Sequence, residues 1–469
     1  MKASMKWIKV LPFPTISGSA IIALAAVLLI ICPIHRIHAG QLGINCTEPA
    51  VWEGAAVNAV ILPYTYTGHG QKPLSKTAKE LTLLVQMDVL FSMLKYGGVG
   101  TTVLSTREIP LQRVREECTP EVVTAKVLGR IPGANSQIKS GRGVVILWGY
   151  IYEEGKDVFV QSYLRFLRRN APDRIFLTIN RDMPLPMKFT GRLPDQAFAF
   201  APKRLTVDEL KEIGRAFQQS AMVRSHPNTS ARGERMWLDP DLPFQYRVMD
   251  ARNGWMKIES YGPGPSGWVQ AQVNIAESPL SRKLPELCFV EGAVGYLRYQ
   301  VHIDEIMRLP HAGRVVQWTQ RALSRFEEFS QKKKGSVPVA MAKILSGNLS
   351  IISANPAQLI EAVHNASIKY THAAALMPYN AEARNLMAVS RIYLGYLSGW
   401  SSEKPAVIAK ELLNTLVLDA DNDAILANLE NFYVLVSKIP EEMSQIQKAE
   451  LKNKLSAVRR VRAGLERNR

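Results

Sequence analysis

The sequence predicts a multidomain α+β chain: a small α/β domain, then an SH3-sized β-barrel, then a C-terminal α-helical repeat. Three observations predict it. Between about 45 and 200, apolar runs of strand length alternate with a long helical pattern. Between 221 and 275, turns bearing Gly and Pro separate short runs of period two. From about 283 to 469, Pro and Gly thin out and helical periodicity takes over. A length of 469 residues suits about three domains of ordinary size, and a hydrophobic fraction of 47% supplies their cores.

Residues 1–39 stand apart. Lys2, Lys6 and Lys9 precede a charge-free run from Ile16 to Ile34. A basic flank before an apolar run reads as a signal peptide or a transmembrane anchor. The run has 19 residues, near bilayer-spanning length. Ala39 suits a cleavage site and Ile37 suits it less, so cleavage and retention both stay open. Either way, residues 40 onward are expected to be exported: periplasmic, or anchored to the inner membrane and facing the periplasm.

The formal charge is +17, and removing the four basic groups of residues 1–39 leaves +13. That balance favours anionic surfaces, such as membrane headgroups or the cell wall. The basic residues are scattered and form no basic-aromatic stripe, which argues against nucleic acid. Three cysteines follow residue 39. Cys46 and Cys118 are the candidate disulfide of an oxidising compartment, and Cys288, within Leu287-Cys288-Phe289-Val290, reads as a buried inert thiol.

In the first block, Ala56 to Tyr64 is a strand candidate and Ser75 to Lys95 a long helix, stopped by Gly97-Gly98. Val99 to Ser105 is a second strand, Glu116 to Leu128 a helix, and Val144 to Gly149 with Val158 to Phe166 a closing hairpin. Val60 to Pro63, the long helix and the hairpin GYIYEEGKDVFVQSYLRF together resemble the amino-terminal domain of TolB-like periplasmic proteins, over about a quarter of the chain. The resemblance implies a binding module and not a catalyst. The extended middle and the polar loop Gln71 to Lys76 depart from that pattern.

Thr206 to Arg215 reads as a linking helix. In the second block, Trp255-Met256-Lys257-Ile258-Glu259 alternates, so the indole, Lys and Glu share one face and Met and Ile the other. Val223-Arg224 with Pro227-Asn228, then Trp255-Met256-Lys257-Ile258, then Gly267-Trp268-Val269, resemble a bacterial SH3-like domain in the right order. The resemblance implies peptide or wall-peptide binding, or packing against neighbours. Tyr246, Trp255, Tyr261 and Trp268 are the candidates for an aromatic groove, and the two tryptophans equally suit the core of a small barrel.

The third block offers helices at 285–299, 311–328, 338–345, 356–375, 381–398, 405–417, 422–437 and 441–464. Leu376 to Ala383 aligns with Val417 to Ala424, 41 residues later, and in each an Asn followed closely by Ala opens a helix that it would cap. Ala375 to Ala383 resembles a tetratricopeptide repeat, degenerate because the spacing exceeds 34 residues. Such arrays commonly bind peptides on their concave face.

Catalytic patterns are absent from the sequence. The glycines of Gly97-Gly98-Val99-Gly100 follow a helix and precede a strand, the reverse of a phosphate loop, and no Lys follows them. Glu153-Glu154 sits in a hairpin turn, and the histidines beyond residue 39 form no close metal-binding pair. No cofactor is expected. The reading is a non-catalytic envelope scaffold or adaptor for protein or peptide partners. The alternative is an envelope enzyme or wall-binding protein acting on cell-wall or surface carbohydrate.

Overall fold

The computed structural model describes 57–62, 64–66, 99–103, 143–154, 157–168, 174–179, 187–191, 197–220, 222–236, 246–252, 255–260, 264–270, 279–306, 312–332, 335–401, 404–438 and 445–467, with single positions in 81–89 and 121–125. The export run, Cys46, Cys118 and Tyr261 lie outside them.

Up to residue 206 the described residues include nine strands: β1 (Val57–Ile61), β2 (Thr65–Tyr66), β3 (Val99–Val103), β4 (Gly143–Glu154), β5 (Asp157–Arg168), β6 (Arg174–Ile179), β7 (Met187–Gly191), β8 (Ala197–Ala199) and β9 (Lys203–Thr206). Seven of them build one mixed sheet in the order β3-β1-β4-β5-β8, with β2 on β4 and β9 on β5. β1 is parallel to both β3 and β4, whereas β4 and β5 pair antiparallel over their whole length. Helical residues Leu81, Leu84, Val85 and Val89 are buried with β1 in the same core. Gly149 makes the close approach of Tyr64 to β4 feasible: a Cβ there would lie 2.1 Å from the Tyr64 ring.

Helix α1 (Val207–Ser220) opens with Thr206 and Glu209 capping each other: the Thr206 N–H donates to Glu209 Oε2 at 2.8 Å and the Glu209 N–H to Thr206 Oγ1 at 3.1 Å. A second sheet follows from β10 (Met222–Arg224), β11 (Gly233–Arg235), β12 (Tyr246–Arg252), β13 (Trp255–Ser260) and β14 (Gly267–Gln270). Its order is β11-β10-β14-β13-β12. The expected barrel is not formed among the described residues: β11 and β12 are the two edges of an open sheet, which packs Val223, Ile258 and Val269 into the common core instead of curling shut.

Nine helices complete the described chain: α2 (Pro279–Lys283), α3 (Glu286–Ile306), α4 (Ala312–Lys332), α5 (Val337–Ser353), α6 (Leu359–Leu376), α7 (Ala381–Leu397), α8 (Pro405–Leu418), α9 (Asp423–Ser437) and α10 (Gln445–Arg467). From α3 onward each packs on the next. Asn380 and Asn422 do cap α7 and α9: Asn380 accepts from the Ala383 N–H, and Asn422 from those of Ala424 and Ile425. The helices do not enclose a core of their own. α3 packs on β4 and β1, α5 on β6 and β8, α7 on β6 and β7, and α9 on β7. Alternate helices thus form a row turned toward the chain's own β-structure.

Buried polar contacts join the two layers. The Ser162 hydroxyl donates to Glu286 Oε1 at 3.1 Å and lies 3.0 Å from the Tyr64 hydroxyl, linking β5, the β1 exit and the first turn of α3. Burial, the largest influence, pushes the Tyr64 phenol far above its ordinary range. Between α3 and α4, the almost fully buried Glu291 pairs with Arg321 at 2.5 Å and Arg325 at 2.8 Å.

Candidate strand-binding site

β6 and β7 form a separate two-stranded sheet. A lone hairpin is marginal in water and needs a surface to lie on. Here the row of α5, α7 and α9 supplies it. Phe189 of β7 is fully buried in the common core. The next residue, Thr190, is gripped by its main chain. Asn428 of α9 accepts the Thr190 N–H at 2.8 Å and donates to the Thr190 carbonyl at 2.7 Å. Asn385 of α7 donates to the same carbonyl at 3.0 Å, and Asn428 also donates to Asn385 Oδ1 at 2.7 Å.

The chemistry is that of a β-ladder made by side chains. One carboxamide offers an acceptor and a donor side by side, as a neighbouring strand does. Both asparagines are fully buried, where unpaired amides would be costly. Asn is a weak helix former, so two such residues inside α7 and α9 are explained by this contact and not by propensity. The grip reads backbone and ignores the side chain. The Thr190 hydroxyl itself is buried without a hydrogen-bond partner among the described residues.

No family model matches the chain, and no curated protein or solved structure matches it either. The site therefore rests on its own geometry.

Sequence reasoning placed the site elsewhere. In the second sheet Trp268 pairs with Lys257 and Arg224, and Trp255 with Gln270, so both indoles share a face with Lys257 as the alternation predicts. Trp255 is 8% exposed and Trp268 6%, so both are covered residues in this chain. In β12, Tyr246 pairs with Ser260 of β13. Gly267 lets β14 run against β10, where a Cβ would stand 2.4 Å from the Arg224 carbonyl oxygen. An aromatic strip lies on β4 and β5 instead: Tyr152 stacks on Phe159 at 4.7 Å and Trp148 on Tyr163 at 5.6 Å, with Tyr150 and Tyr152 partly open to solvent.

A groove of about 870 Å³ opens between α4, α5 and α6. Its lining mixes Leu323 and Ile368 with Gln358 and the Glu327–Lys369 ion pair, and selects no single ligand class. Among the described residues no group of His, Cys, Asp or Glu is arranged to hold a metal ion.

The asparagines were legible only as odd residues in helices. The hairpin does carry a local signal: Ile175 to Ile179 is a short apolar run rich in β-branched and aromatic residues, as in a buried strand.

Proposed function

We propose that this protein is a non-catalytic scaffold or adaptor of the cell envelope, exported or anchored by its N-terminal run, which holds extended segments of protein or peptide partners on its helical array. The observation that carries the reading is the Asn385–Asn428 pair, a buried device whose chemistry addresses main chain. A tetratricopeptide-like array fits the packing of each helix on the next and the Asn caps of α7 and α9. An SH3-like origin for the second sheet fits its strand order and its Gly-Trp-Val strand. A TolB-like first domain fits the helix-backed sheet with its long hairpin.

Crosslinking in intact envelope tests this. The full chain, tagged at its C terminus, is crosslinked, captured and analysed by mass spectrometry. Partner peptides joined to residues 337–437 support a scaffold. Capture of no protein at that surface contradicts it.

A second reading draws on the strip of Tyr150, Tyr152 and Phe159, since flat aromatic surfaces suit sugar rings and proline-rich peptides. It is a wall-binding protein. Retention of wall fragments by the native chain but not by Y150A/Y152A supports that reading, and equal retention removes it.

A further inference from the structure

We propose that the hairpin β6–β7 is an internal occupant of a strand-binding site, and that an extended segment of a partner protein takes its place. The inference rests on the scaffold reading and adds the site and the kind of segment recognised. Three observations carry it. The hairpin belongs to neither large sheet, so its contacts with α5, α7 and α9 hold it. Apart from the bond that joins them, the contacts of Asn385 and Asn428 are spent on the main-chain N–H and carbonyl of one residue, which almost any sequence supplies. The occupant also fits imperfectly, because the Thr190 hydroxyl is buried without a partner among the described residues, a cost that a different residue would avoid. The segment recognised is accordingly an extended strand with an aromatic residue in the Phe189 position, followed by a residue without a polar side chain.

A tethered occupant competes at high effective concentration, so a free strand binds poorly until the hairpin is weakened. The probe is a labelled synthetic peptide of residues 174–191, titrated by fluorescence anisotropy into the full chain. In Thr190→Pro the chain's own copy loses the N–H that Asn428 accepts, and the proline ring is incompatible with that contact. The peptide, which keeps Thr190, is expected to bind this variant at least tenfold more tightly than it binds the unaltered chain. Adding N385A and N428A is expected to abolish the gain.

No gain in T190P, with helical content retained, overturns the proposal, as does a gain that survives removal of both asparagines. If T190P does not fold, T190V decides. It keeps the main chain, removes the misfitting hydroxyl, and is expected to weaken peptide binding several-fold and slow hydrogen exchange across 187–191. Unchanged binding and exchange in T190V overturn the proposal. The two readings fail separately. A peptide that enters the opened site while envelope yields no partner at 337–437 sinks the scaffold and leaves the site. Partner crosslinks at that surface with no peptide entry leave the scaffold and sink the displacement.

Discussion

Asn428 closes both hydrogen bonds of Thr190, taking its N–H at 2.8 Å and giving to its carbonyl at 2.7 Å. A side chain on α9 therefore does for β7 what a third strand would do. Truncating it strands the Thr190 N–H and breaks the link to Asn385 in one step. N428A is expected to cost about 2–3 kcal/mol, and N428D more, because a buried carboxylate would face the Thr190 carbonyl and Asn385 Oδ1. Chemical denaturation followed by circular dichroism measures both.

Thr190 allows the opposite experiment. Valine has the same shape without the hydroxyl that lacks a partner among the described residues. T190V is expected to stabilise the chain by about 1 kcal/mol. A destabilised T190V would mean that the hydroxyl makes a contact this account lacks.

Gly149 and Tyr64 are a coupled pair. A methyl group at 149 would lie 2.1 Å from the Tyr64 ring and 2.8 Å from the Gln161 carbonyl oxygen. G149A is expected to destabilise by at least about 3 kcal/mol. Since the ring is only one of the two obstacles, adding Tyr64→Ala should not restore wild-type stability. Thermal melts of the single and double variants decide.

Acid should loosen the C-terminal helix. Burial tends to raise the Glu430 carboxyl, but hydrogen bonds from Arg459 and Arg462 outweigh it and hold the group below its ordinary value. A carboxylate depressed in the folded state gives stability that is present above its unfolded pKa of about 4.3 and is lost as pH falls through the lower folded value. Docking of α10 on α9 is thus expected to weaken below about pH 4, and E430Q to remove that dependence. A fluorophore on α10 followed through an acid titration checks it.

Cys288 is fully buried, and that burial pushes its thiol up to about 12 against the opposing pull of Arg325. It is expected to resist thiol reagents until the chain unfolds. Peptide mapping after timed labelling separates it from the other cysteines. Rapid native labelling would place it at the surface.

Much of this architecture was legible because local signals and tertiary fate agreed. Val144 to Gly149 and Val158 to Phe166 read as a hairpin since their apolar runs flank a Gly-bearing turn, and the strands run on to Gly143–Glu154 and Asp157–Arg168. The helices from α3 to α10 read within a few residues at most ends, and Asn380 and Asn422 announced two starts. What stayed hidden depends on distant partners. Nothing local says that α3, buried on every side from Leu287 to Tyr299, lies against β1 and β4, or that five short strands stay an open sheet. Asn385 and Asn428 each look like a poor helix residue until Thr190, about 195 and 238 positions away, arrives to meet them.

Hydrogen exchange at the Thr190 amide reports on the asparagine grip itself. If Asn428 holds the strand by its main chain, that amide is protected in the native chain, and N428A speeds its exchange by roughly 30-fold, the equivalent of about 2 kcal/mol. Equal protection in both chains would contradict the account, and would mean that the hairpin is held by Phe189 and its neighbours and not by the asparagine pair.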